Sequence, residues 1–253
     1  MDELLILRLI VITWFALAAV VFITLFFFVA PYGRHVRKGW GPTTNSRFGW
    51  VLMETPAALV FAICFAFGVN ARTVPALVFL ALWEIHYVHR AFIYPFTTRG
   101  EAKRMTLTVV VMGLFFNTVN AYLNGRYIFT FSSGYSNEWL LDMRFIVGVL
   151  LFVLGFIMNR QADNTLRQLR QPGESGYKIP YGDFYRWISC PNYFGEILIW
   201  IGWAMATWSL AGLAFAAWTA ANLAPRARSN HAWYRKQFAD YPASRKALIP
   251  KLW

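Results

Sequence analysis

The chain has 253 residues, 58% of them hydrophobic, 19% aromatic and only 14% charged, with a formal net charge of +12. Such a composition excludes an ordinary soluble domain, because the apolar residues fall in blocks of about twenty, enough to cross a bilayer core. In a membrane protein, excess Lys and Arg belong first to cytoplasmic loops, before any nucleic-acid partner is invoked.

The first block, Leu9 to Pro31, is interrupted by nothing more polar than Thr13 and Thr24. Its acidic start (Met1-Asp2-Glu3) and its length do not suit a cleaved signal peptide, so a retained first helix is predicted. Further spans are predicted over 50–69, 74–94, 105–123 and 145–158. The last block, Ile197 to Leu223, has 27 residues without a charge. As one upright helix it would be about 40 Å long in a core of about 30 Å, so it either tilts or breaks near "TWSLAG" (207–212). Residues 31–49, 95–104, 159–196 and 224–253 carry four, three, five and seven Lys/Arg, while 70–73 and 124–144 carry one and two. Seven spans put all four rich segments on one side, which is cytoplasmic, with the N-terminus outside. The predicted fold class is therefore all-α, a polytopic seven-helix membrane protein forming a single domain over 1–253. Cys64 and Cys190 have no metal-type spacing, and Cys64, inside an apolar block, reads as a small core residue.

Ionisable groups inside a bilayer are costly and mark interior cavities or pathways. Glu54, Glu84 and Glu196 lie within or at the edge of spans, joined by Tyr87, His89, Arg90, Tyr94 and Asn192. On the predicted topology all sit at cytoplasmic helix ends and converge on one leaflet. Glu54 is expected near the start of its helix, where Pro56 is tolerable. Helical spacing puts Glu84, Tyr87 and Tyr94 on one face and pairs His86 with Arg90 at i, i+4. A metal site is disfavoured: the chain has four histidines, no HExxH and no Glu-x-x-His at Glu84. A buried pairing or an interfacial anchor accounts for Glu84 and His86 equally well. No GxGxxG follows a strand and no GxxxxGK[ST] occurs. Any dinucleotide must then be held by side chains, for which the basic, amide- and tyrosine-rich 159–196 segment is suited. The same segment also reads as a positively charged interfacial loop.

Three long segments carry a resemblance. "HYVHRAFIYPFTTRG" (86–100) is similar to HYxHRxFxYxxxxRG. "LRQLRQPGESGYKIPYGDFYRWISCPNYFGEILIWIGWAMATWS" (166–209) is similar to LRxLRxPGExxYxIPxGGxFxxVSxxNxxGExxEWxGxAxAxxS. "FADYPASRKALIPKLW" (238–253) is similar to FxxYPxxRKALIPFxx. These are features of the steroid 5α-reductase (3-oxo-5α-steroid 4-dehydrogenase) family, and "METPA" with "HYVHR" points to its steroid branch. The resemblance implies a seven-helix enzyme that uses NADPH to reduce the 4,5 double bond of a 3-oxo-4-ene steroid. It implies a substrate half over 1–123 (helices 1–4) and an NADPH half over 124–253 (helices 5–7 and basic loops). Glu54 and Tyr87 match the catalytic pair. Tyr94, Arg99, Asn159, Asp163, Arg170, Tyr177, Lys178, Asn192, Glu196, Arg226 and Tyr234 match cofactor positions, while Glu84, His86, His89 and Arg90 are expected to brace the site. Met53, Ile199 and Asn230 depart from the family pattern, Asn230 standing where a histidine falls at a cofactor position.

A conjugated enone accepts hydride at its β-carbon when its carbonyl oxygen is polarised, and donors in a dry site stabilise the charge that grows there. Tyr87 is such a donor, and Glu54 is one when neutral, the form that apolar burial favours. The expected partners are a steroid and the bilayer, with no metal and no nucleic acid, and a monomer satisfies the reading. The expected location is a bacterial inner membrane or the endoplasmic reticulum, depending on source. The steroid is expected to enter among the first four helices, past the aromatics of "LFFFVA" (25–30) and "FAICFAF" (61–67). Alternatives are a related NADPH reductase of a sterol, polyprenol or enoyl-CoA, an isoprenylcysteine-type methyltransferase, and a sterol-binding or transport protein.

Overall fold

Asp2 accepts a hydrogen bond from the Leu4 amide at 3.3 Å and starts α1 (Glu3–Phe27). The structure, a computed structural model, describes residues 2–29, 35, 39–97, 104–169, 174 and 176–253. Beyond Arg8, α1 is apolar on every face, but only the Leu7, Val11, Trp14 and Ala18 stripe is buried. A helix that covers one stripe with protein and leaves the other apolar faces bare is suited to lipid.

α2 (Ser46–Ala66) is capped by Asn45, which accepts from the Arg47 amide at 2.9 Å. The helix starts earlier than the apolar block does, so Pro56 lies in its interior instead of its first turns. Pro56 has no N–H to offer the Leu52 carbonyl, so α2 lacks one backbone hydrogen bond in the turn that carries Glu54.

α3 (Val74–Thr97) contains a π turn at His89–Ile93. Here the Tyr94 amide bonds the His89 carbonyl, and the Arg90 carbonyl faces Pro95, which has no N–H. Trp50 on α2 supplies the missing donor, its Nε1 lying 3.0 Å from the Arg90 carbonyl. The extra residue in the π turn shifts the helical phase beyond it.

α4 (Leu107–Phe131) also ends in a π turn, Tyr127–Phe131. A short antiparallel ribbon, β1 (Thr43–Asn45) with β2 (Arg104–Thr106), ties the start of α4 to the start of α2. α5 (Met143–Gln168) is capped by Asp142, and it continues ten residues past the predicted span, so Asn159 and Asp163 lie on a helix instead of a loop. The long uncharged block breaks as α6 (Pro191–Thr207) and α7 (Leu210–Gln237). Trp208 between them is left-handed (φ 44°), and Ser209 caps α7 by accepting from the Gly212 amide at 2.9 Å.

Seven long helices thus occupy the described residues. Of these, α1 to α5 are long and apolar enough to cross a membrane, and the protein is a mostly helical membrane protein. α5 and α6 touch backbone to backbone. A Cβ on Gly202 would lie 2.5 Å from the Gly148 carbonyl, and one on Gly195 would lie 2.7 Å from the Gly155 carbonyl. Small residues on both helices permit this approach, as in membrane bundles generally. At one end of the bundle Glu3 accepts from Arg126 (2.7 Å twice) and Tyr122 (2.7 Å), pinning α1 to α4. The polar site occupies the other end.

Candidate active site

The residues around Glu54 form a chain of polar contacts that crosses three helices. Glu54 on α2 is 7% exposed. Its Oε2 accepts from Asn117 Nδ2 of α4 at 3.2 Å, and the same nitrogen holds the Met53 carbonyl at 2.7 Å. Arg90 Nε of α3 lies 3.6 Å from Glu54 Oε1, beyond hydrogen-bond length. The Arg90 guanidinium stacks on Trp50 and Tyr94, 5.0 and 5.6 Å from the ring centres.

A second chain starts one turn away on α3. His86 Nε2 lies 3.3 Å from Glu196 Oε1 at the start of α6, and Trp200 Nε1 donates to the same oxygen at 3.0 Å. Asn159 of α5 donates through Nδ2 to Glu196 Oε2 at 3.0 Å and to the Asn192 carbonyl at 2.9 Å. Asn192 in turn donates to Asp163 Oδ1 at 3.0 Å. Asn159, Asp163, Asn192 and Glu196 therefore form one network. His86 Nδ1 is buried without a partner among the described residues.

Tyr87 lies between the two chains and is 3% exposed. Its ring packs on Trp83 (4.9 Å), His86 (5.0 Å) and Trp200 (5.8 Å). Its hydroxyl is under the charges of Glu54, Glu196 and Arg90 and has the Asn120 side chain beside it.

Farther along α7, Arg226 donates to the Tyr193 hydroxyl at 3.1 Å, and Asn230 donates to the same oxygen at 3.3 Å. His35 reaches Asn230 Oδ1 at 3.1 Å. Tyr234 stacks on Tyr241 (5.2 Å), Tyr177 packs on Trp233 (5.0 Å), and Lys178 pairs with Glu174 at 2.6 Å near the surface. Tyr177 and Tyr234 thus pack at the end of α7 and on the C-terminal segment. Arg99 and Arg170 lie outside the described residues.

Several expectations change. His86 and Arg90 do not pair with each other; each faces an acid on another helix. Glu84 is not on the Tyr87 network: it is half-buried, and its Oε1 has no partner among the described residues. His89 contacts Arg160 of α5 and reaches the Glu54 cluster only through an edge-on contact with Tyr94 (6.4 Å). Phe27, Phe28 and Phe67, expected to line a steroid path, are exposed, and Phe61 is stacked on Trp83 in the core (4.3 Å). The aromatic surround of Tyr87 instead draws Trp200 from α6, in the other half of the chain. Both cysteines are buried and free. Among the described residues no three His, Cys, Asp or Glu side chains are grouped to hold a metal ion.

Sequence reasoning missed Trp50, Asn117, Asn120, Asn124 and Tyr193. The asparagines had a readable signal: Asn117, Asn120 and Asn124 share one helical face inside an apolar block, and all three are buried.

A family model described as 3-oxo-5-alpha-steroid 4-dehydrogenase matches residues 103–253. The chain is 40% identical over 243 residues to "Steroid 5-alpha-reductase DET2" of Gossypium hirsutum, covering 94% of each chain. It is 39% identical over 241 residues to "3-oxo-5-alpha-steroid 4-dehydrogenase 1" of Bos taurus, covering 94% of this chain and 93% of that one. The human protein of the same description is 40% identical over 223 residues, with 87% and 85% covered.

Proposed function

Because this chain belongs to the 3-oxo-5-alpha-steroid 4-dehydrogenase family, we infer that it reduces the 4,5 double bond of a 3-oxo-4-ene steroid to the 5α-reduced 3-oxosteroid. The observation that carries the site assignment is the convergence of buried Glu54 and Tyr87, from neighbouring helices, on one end of the bundle.

NADPH, when bound, supplies the hydride for the 5-position. The donor set suits such a cofactor: the Arg226 guanidinium offers the fork that phosphate oxygens take, and the Asn159–Asp163–Asn192–Glu196 network offers amides and carboxylates for hydroxyl and amide groups. Tyr94, Tyr177, Lys178, Asn230 and Tyr234, with Arg99 and Arg170, complete the proposed contacts. His86, held by Glu196, aligns the two halves.

Glu54 and Tyr87 act on the 3-oxo group. Negative charge grows on that oxygen as the 5-position is reduced, and two donors aimed at it stabilise the transition state more than the ground state. Tyr87 donates its phenolic proton. Glu54 donates from Oε1, because Oε2 already accepts from Asn117 and Arg90 stands beyond hydrogen-bond length of Oε1. The apolar rings around Tyr87 exclude water, which strengthens both bonds. A proton then reaches the 4-position and restores the ketone.

The arrangement supports seven crossings, α6 and α7 forming the last two, with the N-terminus outside and the basic site end cytoplasmic. The test is turnover: purified protein with NADPH and a 4-ene-3-oxosteroid consumes NADPH in a steroid-dependent way and yields the 5α-reduced ketone. Turnover only of a sterol, a polyprenol or an enoyl-CoA would overturn the substrate assignment, and methyl transfer from S-adenosylmethionine would overturn the reaction class.

A further inference from the structure

Asn120 of α4 is 1% exposed, and its Nδ2 is buried with no hydrogen-bond partner among the described residues. An unsatisfied buried donor is costly, so its retention asks for a reason. The neighbouring bonds fix which way the amide faces. Trp203 Nε1 can only donate, and it donates to Asn124 Oδ1 at 2.9 Å. Asn124 must then present its Nδ2 to Asn120, reaching the backbone carbonyl at 3.0 Å and Oδ1 at 3.4 Å. Asn120 Oδ1 is thereby engaged, and its NH₂ is left beside the Tyr87 hydroxyl without a hydrogen bond to it in the resting site.

We propose that the Trp203–Asn124–Asn120 relay sets the direction of the Tyr87 proton, with Asn120 as a positioning residue for the reduction. This rests on the reading of Tyr87 given above. With its oxygen engaged by Asn124, Asn120 does not take the Tyr87 proton; its unpaired NH₂ is held ready to donate to the phenolic oxygen once substrate draws the Tyr87 O–H toward itself. The Tyr87 O–H is left to point at the substrate oxygen, and a hydroxyl that accepts one hydrogen bond donates a stronger one. A reversed amide would capture the proton and remove the donor from the reaction. No proton leaves Asn120 in this scheme.

The test is steady-state kinetics on Asn120→Ala and the near-isosteric Asn120→Asp, each alone and combined with Tyr87→Phe. Each single variant is expected to lose about tenfold or more in kcat with the steroid and NADPH KM values within about twofold, as befits loss of a transition-state interaction. In the Tyr87→Phe background neither adds a further loss, because the residue acts through the hydroxyl already removed. The aspartate fits the same space, so a folding failure of the alanine variant leaves the test intact. Wild-type kcat in both variants, or an undiminished loss in the Tyr87→Phe background, would overturn the proposal. Wild-type activity of Tyr87→Phe alone would instead overturn the role given to Tyr87.

Discussion

His86 Nε2 stands 3.3 Å from Glu196 Oε1, and this contact joins α3 of the first half of the chain to α6 of the second. Glu196 is 8% exposed and also accepts from Trp200 and Asn159, so three donors depend on one carboxylate. Truncation strands all three in a dry site. Glu196→Ala should cost about 3 kcal/mol or more of stability, read as a lower melting temperature in detergent, and should raise the NADPH KM. Glu196→Gln keeps one acceptor oxygen and should lose less on both counts.

Glu54 and Tyr87 make separable predictions. Glu54→Gln keeps a donor and should retain more kcat than Glu54→Ala. Tyr87→Phe removes a donor aimed at the developing charge and should lower kcat by about a hundredfold or more. Turnover equal to wild type in all three, at equal folded protein, would remove the pair from the mechanism.

The α5–α6 contact tolerates no added carbon. Gly195→Ala and Gly202→Ala would each set a methyl against backbone atoms, 2.7 and 2.5 Å away at the nearest. Forcing the helices apart should cost about 1–3 kcal/mol. It should also pull Asn159 from Glu196, so NADPH affinity falls with the melting temperature. Thermal melts and NADPH titration of the two variants check this.

Asp142 offers a pH test outside the spans. The Arg144 guanidinium (2.9 and 2.7 Å), and then the Arg144 amide (2.8 Å), hold its carboxyl at about 2, below the usual 3.8. A lowered acid contributes stability above its unfolded value and loses it as pH falls through the folded one. Wild type should therefore lose more melting temperature than Asp142→Asn between about pH 4 and 2. Between about pH 5 and 9 the two should change in parallel, because the carboxylate is ionised throughout.

What the sequence made legible was set by apolar length and by the cost of buried charge. The break near Trp208, the first five spans and the convergence of Glu54, Tyr87, Arg90 and Glu196 on one end all followed from those two rules. The rest depends on neighbours distant in the chain. The start of α2 at Ser46 and the run of α5 to Gln168 pass through polar residues that hydropathy cannot separate from loop. The π turn in α3 needs Pro95 together with Trp50, forty residues from Arg90 in sequence. His86 has its acid on α6 and not on its own helix, so i, i+4 reasoning paired it wrongly. The polarity of Asn120 is set by Trp203, 79 residues beyond Asn124.

The most direct test follows the hydrogen itself. NADPH stereospecifically deuterated at nicotinamide C4, in each configuration, is turned over with a 4-ene-3-oxosteroid, and the product is read by mass spectrometry and NMR. One of the two labelled forms should deliver a single deuterium to C5 on the α face, with the hydrogen at C4 coming from solvent. Deuterium at C4, or no steroid-dependent oxidation of NADPH, would contradict the account.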